Sequence, residues 1–381
     1  MDSRGEKSSG RSLSRTRAPL ERRELRRPDG RELTLYSRRP IPEDIVATSP
    51  PGGGPRANSH LRWHPLRGEW VAYAAHRQDR TLLPPASENP LAPATDPGRP
   101  TELPSGDYDV AVFTNRFSTL EPDAHEPPSE IVPTAPARGR CEVVVYSRDP
   151  GTSLGRLPLD HVELLLEVWA DRTKVLGAET DVDYVFPFEN RGEEVGVTLH
   201  HPHGQIYAYP FVPPVVAREL SESEAHRERH GLGLLEELMR REVEDGRRIL
   251  YVGPDALAFV PVCARYAYEV WVAPRRPVPA LPDLDPGERA DLARALKTVL
   301  LKFDGLWQRP FPYVMVFHQA PTDGAPHPEA HLHIEFYPPY RRRGTLKYLA
   351  GSELGAGVFT ADTLPEERAR ELDAVPVSLD G

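Results

Sequence analysis

One supersecondary unit is written twice in this chain. From Cys141, "CEVVVYSRDPGTSLGRLPLDHVELLLEVWADRTKVLG" runs as a β-branched strand, a Pro/Gly loop and a helix, and from Tyr268 "YEVWVAPRRPVPALPDLDPGERADLARALKTVLLKFDGL" repeats that order. Self-similarity at this scale constrains the fold more than local propensity does, because both copies must bury equivalent faces. Each helix start has a physical cause. Asp160 with Glu163 and Asp285 with Glu288 have capping-box spacing, and Pro286 sits where a missing N–H costs nothing. Beyond Asp285, Leu292, Leu296, Val299, Leu300 and Phe303 recur at helical spacing and predict one buried face.

The repeat continues downstream. "DYVFPFEN" (183–190) matches "PYVMVFHQ" (312–319), and each is followed by a turn and a strand rich in histidine, "HHPHGQIYAYPF" and "HLHIEFYPP". The expected fold is therefore α+β, two tandem halves of antiparallel sheet with packed helices. The boundaries follow from composition: an Arg-rich disordered extension over 1–45, an N-terminal half over 46–215, a linker helix over 216–245, a C-terminal half over 246–360 and a tail over 361–381.

Charge and cysteine usage narrow the function classes. Residues 1–39 carry twelve Lys/Arg against six Asp/Glu, so the net −10 of the chain leaves about −16 on the remainder. Such a body is not built to bind nucleic acid. Cys141 and Cys263 lie far apart in apolar surroundings, which excludes a disulfide framework and suits a reducing, cytoplasmic setting. No apolar run approaches the roughly 20 residues of a membrane-spanning helix. The Arg-rich start lacks the apolar core of a secretory signal.

The chemistry concentrates in "TLHHPHGQIYAYP" (198–210). On a strand, His201, His203 and Gln205 would alternate onto one face, with Gly204 admitting a ligand close to the backbone. Upstream, Gly192 and Gly196 in "FENRGEEVGVT" allow amide N–H groups to turn toward an anion, and Thr198 adds a hydroxyl. A His-x-His strand on its own is more often a metal site or a polar strand face than a nucleophile. As a nucleophile, an imidazole attacking phosphorus would split one displacement into two steps, with the His201 carbonyl holding the other ring nitrogen of His203.

At this point "FENRGEEVGVTLHHPHGQIYA" resembles the galactose-1-phosphate uridylyltransferases, a class I branch of the histidine-triad (HIT) superfamily. "WHPLRGEWVAYAAHRQDR", "VFTNRF", "PYVMVFHQAP", "HLHIEFYPP" and "KYLAGSE" follow the family's order over most of residues 60–353. The resemblance implies two tandem HIT-like domains and UMP exchange between UDP-glucose and galactose 1-phosphate, by ping-pong through a uridylyl-histidine. His203 would take up UMP and Gln205 would stabilise the phosphoryl group. Asn190, Gly196 and Thr198 would line the phosphate site, Asn115 would contact the nucleoside, and Arg77 and Arg80 would bind the pyrophosphate. Lys347, Tyr348, Gly351 and Glu353 correspond to residues that the family supplies from a partner subunit, implying a homodimer with a shared active site.

The resemblance also implies metal chemistry outside the transfer itself. Glu219, His318 and His333 match three ligands of a structural iron or zinc site, with Glu335 where the family has histidine and His331 as a substitute. A second, N-terminal zinc is expected to be lost, since Asn89 and Ala92 in "ENPLAPA" and Pro150 stand at ligand positions and only His201 remains. No cofactor is needed for the transfer. Arg116 replaces an acid of some members, and "LGAGVF" lacks a glutamine that some use near the sugar. The alternative within the superfamily is a nucleotide-sugar or dinucleotide phosphorylase using inorganic phosphate. A non-catalytic, RNA-associated protein is the reading from outside enzymology.

Overall fold

The computed structural model describes residues 18–51, 58–80 and 83–379. The N-terminal half contributes β1 (Glu21–Arg26), β2 (Glu32–Ser37), β3 (His60–His64), β4 (Glu69–Tyr73), β5 (Val110–Thr114), β6 (Thr134–Pro136), β7 (Arg140–Val145), α1 (Leu159–Gly177), β8 (Tyr184–Arg191) and β9 (His203–Tyr209). Helices α2 (Pro214–His230) and α3 (Leu234–Asp245) lead into the second half. There follow β10 (Ile249–Val252), β11 (Ala256–Phe259), β12 (Val270–Pro274), α4 (Pro286–Leu306), β13 (Tyr313–His318), β14 (His333–Tyr337), β15 (Tyr340–Arg342), β16 (Thr345–Leu346) and α5 (Pro365–Asp373).

The duplicated strands join edge to edge in one eleven-stranded sheet, ordered β1-β2-β5-β7-β9-β8-β13-β14-β12-β11-β10. The seam is the antiparallel pair β8 and β13, which sets Glu189 opposite Met315 and Asn190 opposite Val314. Helices α1 and α4 pack against each other and the sheet, burying Leu165, Trp169, Leu296, Leu300 and Phe303. This continuous apolar layer makes the two halves one core. Strands β4-β3-β6 form a small separate sheet.

The expected disorder over 1–45 is corrected for residues 18–45. Strands β1 and β2 form a hairpin whose β2 pairs with β5, and Leu33, Leu35 and Tyr36 are buried. Composition misled because the arginines are paired: Arg27 bonds Glu102, and Arg31 reaches Asp29 at 2.6 Å and Glu102 at 2.9 Å. Residues 1–17 of that segment lie outside the described residues. The single linker helix over 216–245 is two helices, broken where Gly231 takes φ +73° and ends α2 in a left-handed cap. The tail over 361–381 carries α5, whose Ala369 and Leu372 are buried. The ammonium of Lys302 bonds the carbonyls of Leu372, Asp373 and Val375 at 3.2–3.3 Å, anchoring the end of that helix.

Of the two capping boxes, one forms. Asp285 accepts from the Glu288 amide at 2.8 Å and the Glu288 carboxylate accepts from the Asp285 amide at 2.9 Å. Helix α1 starts two residues early, with Pro158 at the N-cap and no side-chain cap, which moves Asp160 inside the first turn. Among the described residues no helix is long and apolar enough to cross a membrane.

Candidate active site

Strand β9 is threaded between β7 and β8, so its residues are held by ladders on both sides: Gln205 lies opposite Val143 on one and Phe188 on the other. The strand begins at His203 itself. His201 precedes it and does not extend the row expected from strict alternation. His203 and Gln205 open into a cavity of about 340 Å³, together with Arg77, Arg80, Asn115, Asn190, Gly196 and Thr198. All eight N-terminal residues singled out from the sequence for catalysis or substrate binding therefore share one cleft. A larger cavity of about 700 Å³ adjoins it, with His203 and Asn190 common to both.

The tautomer of His203 is fixed by its backbone. Its Nδ1 lies 2.7 Å from the carbonyl oxygen of His201, so Nδ1 carries the proton and donates it, leaving the lone pair on Nε2. Burial lowers the pKa of the ring below 6.5, so the ring is neutral at pH 7. Arg77 donates to the Phe117 carbonyl at 2.6 Å and Arg80 to the Arg77 carbonyl at 3.0 Å, which aims both guanidinium groups from one turn.

The glycine loop works differently from expectation. Gly192 and Gly196 do adopt positive φ, +98° and +79°. The amides of Val195, Gly196 and Val197, however, donate within the turn to Gly192 and Glu193 carbonyls at 2.9–3.3 Å. Those three amides are therefore not free for an anion, and the side-chain donors on offer in the cleft include the Thr198 hydroxyl, the Asn190 and Gln205 amides and the arginines. The loop's role is shape.

Sequence reasoning missed the walls. Leu91, Phe113, Phe117, Val143, Phe188 and Tyr207 line the smaller cavity and give it an apolar side suited to a planar base. They come from separate strands and loops, and no local pattern marks them.

Residues 54–213 match the sequence pattern of the galactose-1-phosphate uridyl transferase N-terminal domain, and residues 219–379 match that of its C-terminal domain. The chain belongs to the galactose-1-phosphate uridylyltransferase family. The family's enzyme from Thermotoga maritima is 39% identical over 326 residues, covering 84% of this chain and 99% of that one. The Streptomyces lividans enzyme is 36% identical over 361 residues, covering 92% and 97%. A solved uridylyltransferase structure superposes with a TM-score of 0.74 at 36% identity, covering 83% of this chain and 98% of the other. An ADP-glucose phosphorylase from Arabidopsis thaliana shares the fold, with a TM-score of 0.63 over 83% of this chain and 99% of its own, at 21% identity.

The other expected site residues of the family lie elsewhere in this chain. Lys347 bonds the Thr360 carbonyl at 2.6 Å and approaches Glu353 at 3.4 Å, within a turn that presents Gly351 and Tyr348 outward, the latter 78% exposed. None of these four lines either His203 cavity. Glu219, His318, His333 and Glu335 do converge, with ligand atoms all within 4.8 Å of one another. His318 Nδ1 is buried without a well-aligned hydrogen bond, 2.7 Å from a Glu219 oxygen, so its lone pair is available to a cation shared by the four groups. His333 Nδ1 meets the His331 carbonyl at 2.8 Å, repeating the geometry of His203 and leaving Nε2 for a metal. His331 turns its Nε2 to the Pro274 carbonyl at 2.9 Å and is not among the four residues whose ligand atoms converge. Glu335 is oriented from behind by the Tyr337 hydroxyl and by Arg265 at 3.5 Å.

Proposed function

We propose that this chain is a UDP-glucose–hexose-1-phosphate uridylyltransferase whose nucleophile is His203. The observation that carries the reading is the Nδ1 contact to the His201 carbonyl at 2.7 Å beside a cleft whose lining includes Arg77, Arg80, Asn190, Thr198 and Gln205. In the first half-reaction Nε2 attacks the α-phosphorus of UDP-glucose; an N–P bond forms, the bridging P–O bond breaks, and glucose 1-phosphate leaves with the electron pair. The imidazole becomes cationic while keeping its Nδ1 proton, and the His201 carbonyl offsets that charge. In the second, a phosphate oxygen of galactose 1-phosphate attacks the same phosphorus, the N–P bond breaks, and UDP-galactose departs. Gln205, Asn190 and Thr198 donate to the phosphoryl oxygens where charge spreads in both transition states. Arg77 and Arg80 hold the sugar phosphate, a symmetric task in the two halves.

We further assign a structural iron or zinc to Glu219, His318, His333 and Glu335, where it would tie α2 to β13 and β14, and route no step of the transfer through it. The N-terminal zinc is taken to be absent, as its place at His201 is filled by hydrogen bonds. The turn that exposes Tyr348 and Gly351 and pairs Lys347 with Glu353, away from both His203 cavities of its own chain, supports a homodimer in which each copy completes its partner's site. The two free thiols and the acidic body support a cytoplasmic enzyme without a nucleic-acid partner.

Intact mass after mixing with UDP-glucose tests the reading. A UMP adduct is expected on the wild-type chain, absent in His203→Asn and discharged by galactose 1-phosphate. Discharge by inorganic phosphate at a greater rate would replace the transferase with the phosphorylase, and no adduct at all would remove His203 as nucleophile.

A further inference from the structure

Tyr146, immediately after β7, grips the chain on both sides of His203. Its amide donates to the Pro202 carbonyl at 3.2 Å. Its hydroxyl packs on Gly204 so closely that a Cβ there would stand 2.2 Å from the phenolic oxygen. The tyrosine is itself held: its carbonyl accepts from His161 Nε2 of α1 at 2.6 Å, and its ring meets Trp169 edge-on at 5.7 Å. Only the direction of the hydroxyl proton is left to be set. A single carboxylate oxygen, Glu189 Oε2, does this, accepting from Tyr146 at 3.4 Å and from Tyr313 of β13 at 3.3 Å. All three side chains are buried, Glu189 at 4% exposure, and Glu189 directly precedes Asn190 in the cleft.

We propose that Glu189 and Tyr146 are positioning residues for the uridylyl transfer, the carboxylate fixing the tyrosine hydroxyl and the tyrosine fixing the backbone that carries His203. This rests on the assignment of His203 as nucleophile. Two tyrosines donating to one oxygen are held most strongly while Glu189 is ionised, because a charged acceptor makes the stronger bonds. A protonated Glu189 must place its own proton, and the pattern under Gly204 changes. The charged neighbours make this a balanced equilibrium near neutrality. Burial pushes the Glu189 carboxyl up to about 7, opposed by the charge of Arg191 on its own strand and by the Tyr313 and Tyr146 hydroxyls, while Asp304 of α4 raises it. Arg191 is committed to Asp304 at 2.8 Å and does not pair with Glu189. His203, with its pKa lowered, titrates below this range.

The test is the rate of His203 uridylylation by UDP-glucose, followed by rapid quench and intact mass, across pH in wild type, Tyr146→Phe and Glu189→Gln. Tyr146→Phe is expected to slow adduct formation at saturating UDP-glucose about tenfold with KM within about twofold, a cost typical of a small misplacement of a reacting group. In wild type the rate should fall as pH drops through about 7, since protonation of Glu189 weakens the shared acceptor. In Glu189→Gln that limb should vanish, leaving only the fall at lower pH from His203 itself. Wild-type rates and an unchanged pH profile in both variants would overturn the proposal. So would a loss of melting temperature and adduct in strict parallel in Tyr146→Phe, which would make the contact merely structural. An absence of adduct in the wild type would instead sink the assignment of His203, so the two failures are distinguishable.

Discussion

The side-chain amide of Asn89 donates to Nδ1 of His201 across 3.0 Å, while Nε2 of the same ring meets the Ser147 carbonyl at 2.7 Å. Both ring nitrogens are thereby engaged, and burial lowers the pKa of the ring, so it stays neutral and satisfied without a metal. A zinc ion here would have to displace two hydrogen bonds and find further ligands where this chain has Ala92 and Pro150. The expected outcome of metal analysis on the purified protein is therefore at most one iron or zinc per chain. His333→Ala should remove that ion. Asn89→Ala should leave metal content unchanged while costing roughly 1 kcal/mol of stability for the lost bond, read as a lower melting temperature. Two metals per chain, one lost with His201→Ala, would show that the Asn89 bond does not take the metal's place.

The two helix starts give a paired stability prediction. Asp285 and Glu288 exchange both capping hydrogen bonds, whereas Asp160 makes no cap because α1 begins at Leu159. Asp285→Ala should cost about 1 kcal/mol, measured by urea unfolding. Asp160→Ala loses only a favourable charge near the helix N-terminus, worth some tenths of a kcal/mol at an exposed position. Equal costs for the two would mean that capping does not distinguish them.

The same pair of helices shows how much of the molecule was legible in the sequence. Periodicity and duplication located the strands of the two repeat copies, both helices and the His203 strand, because side-chain burial repeats along the chain and a histidine cluster between glycines is rare. The start of α1 was misread because Pro158 and Asp160 both suit a first turn, and only packing decides between them. Residues 18–45 were misread for another reason: a count of arginines cannot see that Glu102, 75 positions from Arg27, will pair with it. The Tyr146, Glu189 and Tyr313 cluster was equally hidden. "FENRG" advertised Asn190, but its neighbour faces the opposite side of the strand, where partners arrive from β13 of the other half.

A histidine held between two carboxylates makes stability depend on pH. His327 lies 2.9 Å from Glu329 through Nδ1 and 3.0 Å from Asp323 through Nε2. Burial opposes the charged ring, but the hydrogen bonds and charges of Asp323 and Glu329 outweigh it, and the pKa is raised above 6.5. A raised folded-state pKa contributes stability that is fully present below the unfolded value and is lost as pH rises through the folded one. His327→Gln should therefore lower the melting temperature at pH 6 and have little effect in the alkaline range beyond the raised pKa. A deficit of the same size at both ends would assign the residue a packing role instead.

A shared active site, as proposed for the dimer, predicts complementation between two dead variants. In one chain His203 opens into its cleft while Lys347 and Glu353, with side chains 8% and 6% exposed and paired at 3.4 Å, belong to a turn that lines neither cavity. If each turn completes the site of the other copy, His203→Asn and Lys347→Ala spoil different halves of every composite site. In a mixed dimer one site inherits both defects and the other inherits none. Random reassortment makes half the molecules mixed, so co-expression should restore about a quarter of the wild-type specific activity from two variants that are each nearly inactive. The UMP adduct should then form only on the Lys347→Ala chain, whose nucleophile is intact, and intact mass separates the two chains. Activity no greater than the sum of the separate variants would show that Lys347 serves its own chain's His203 or neither.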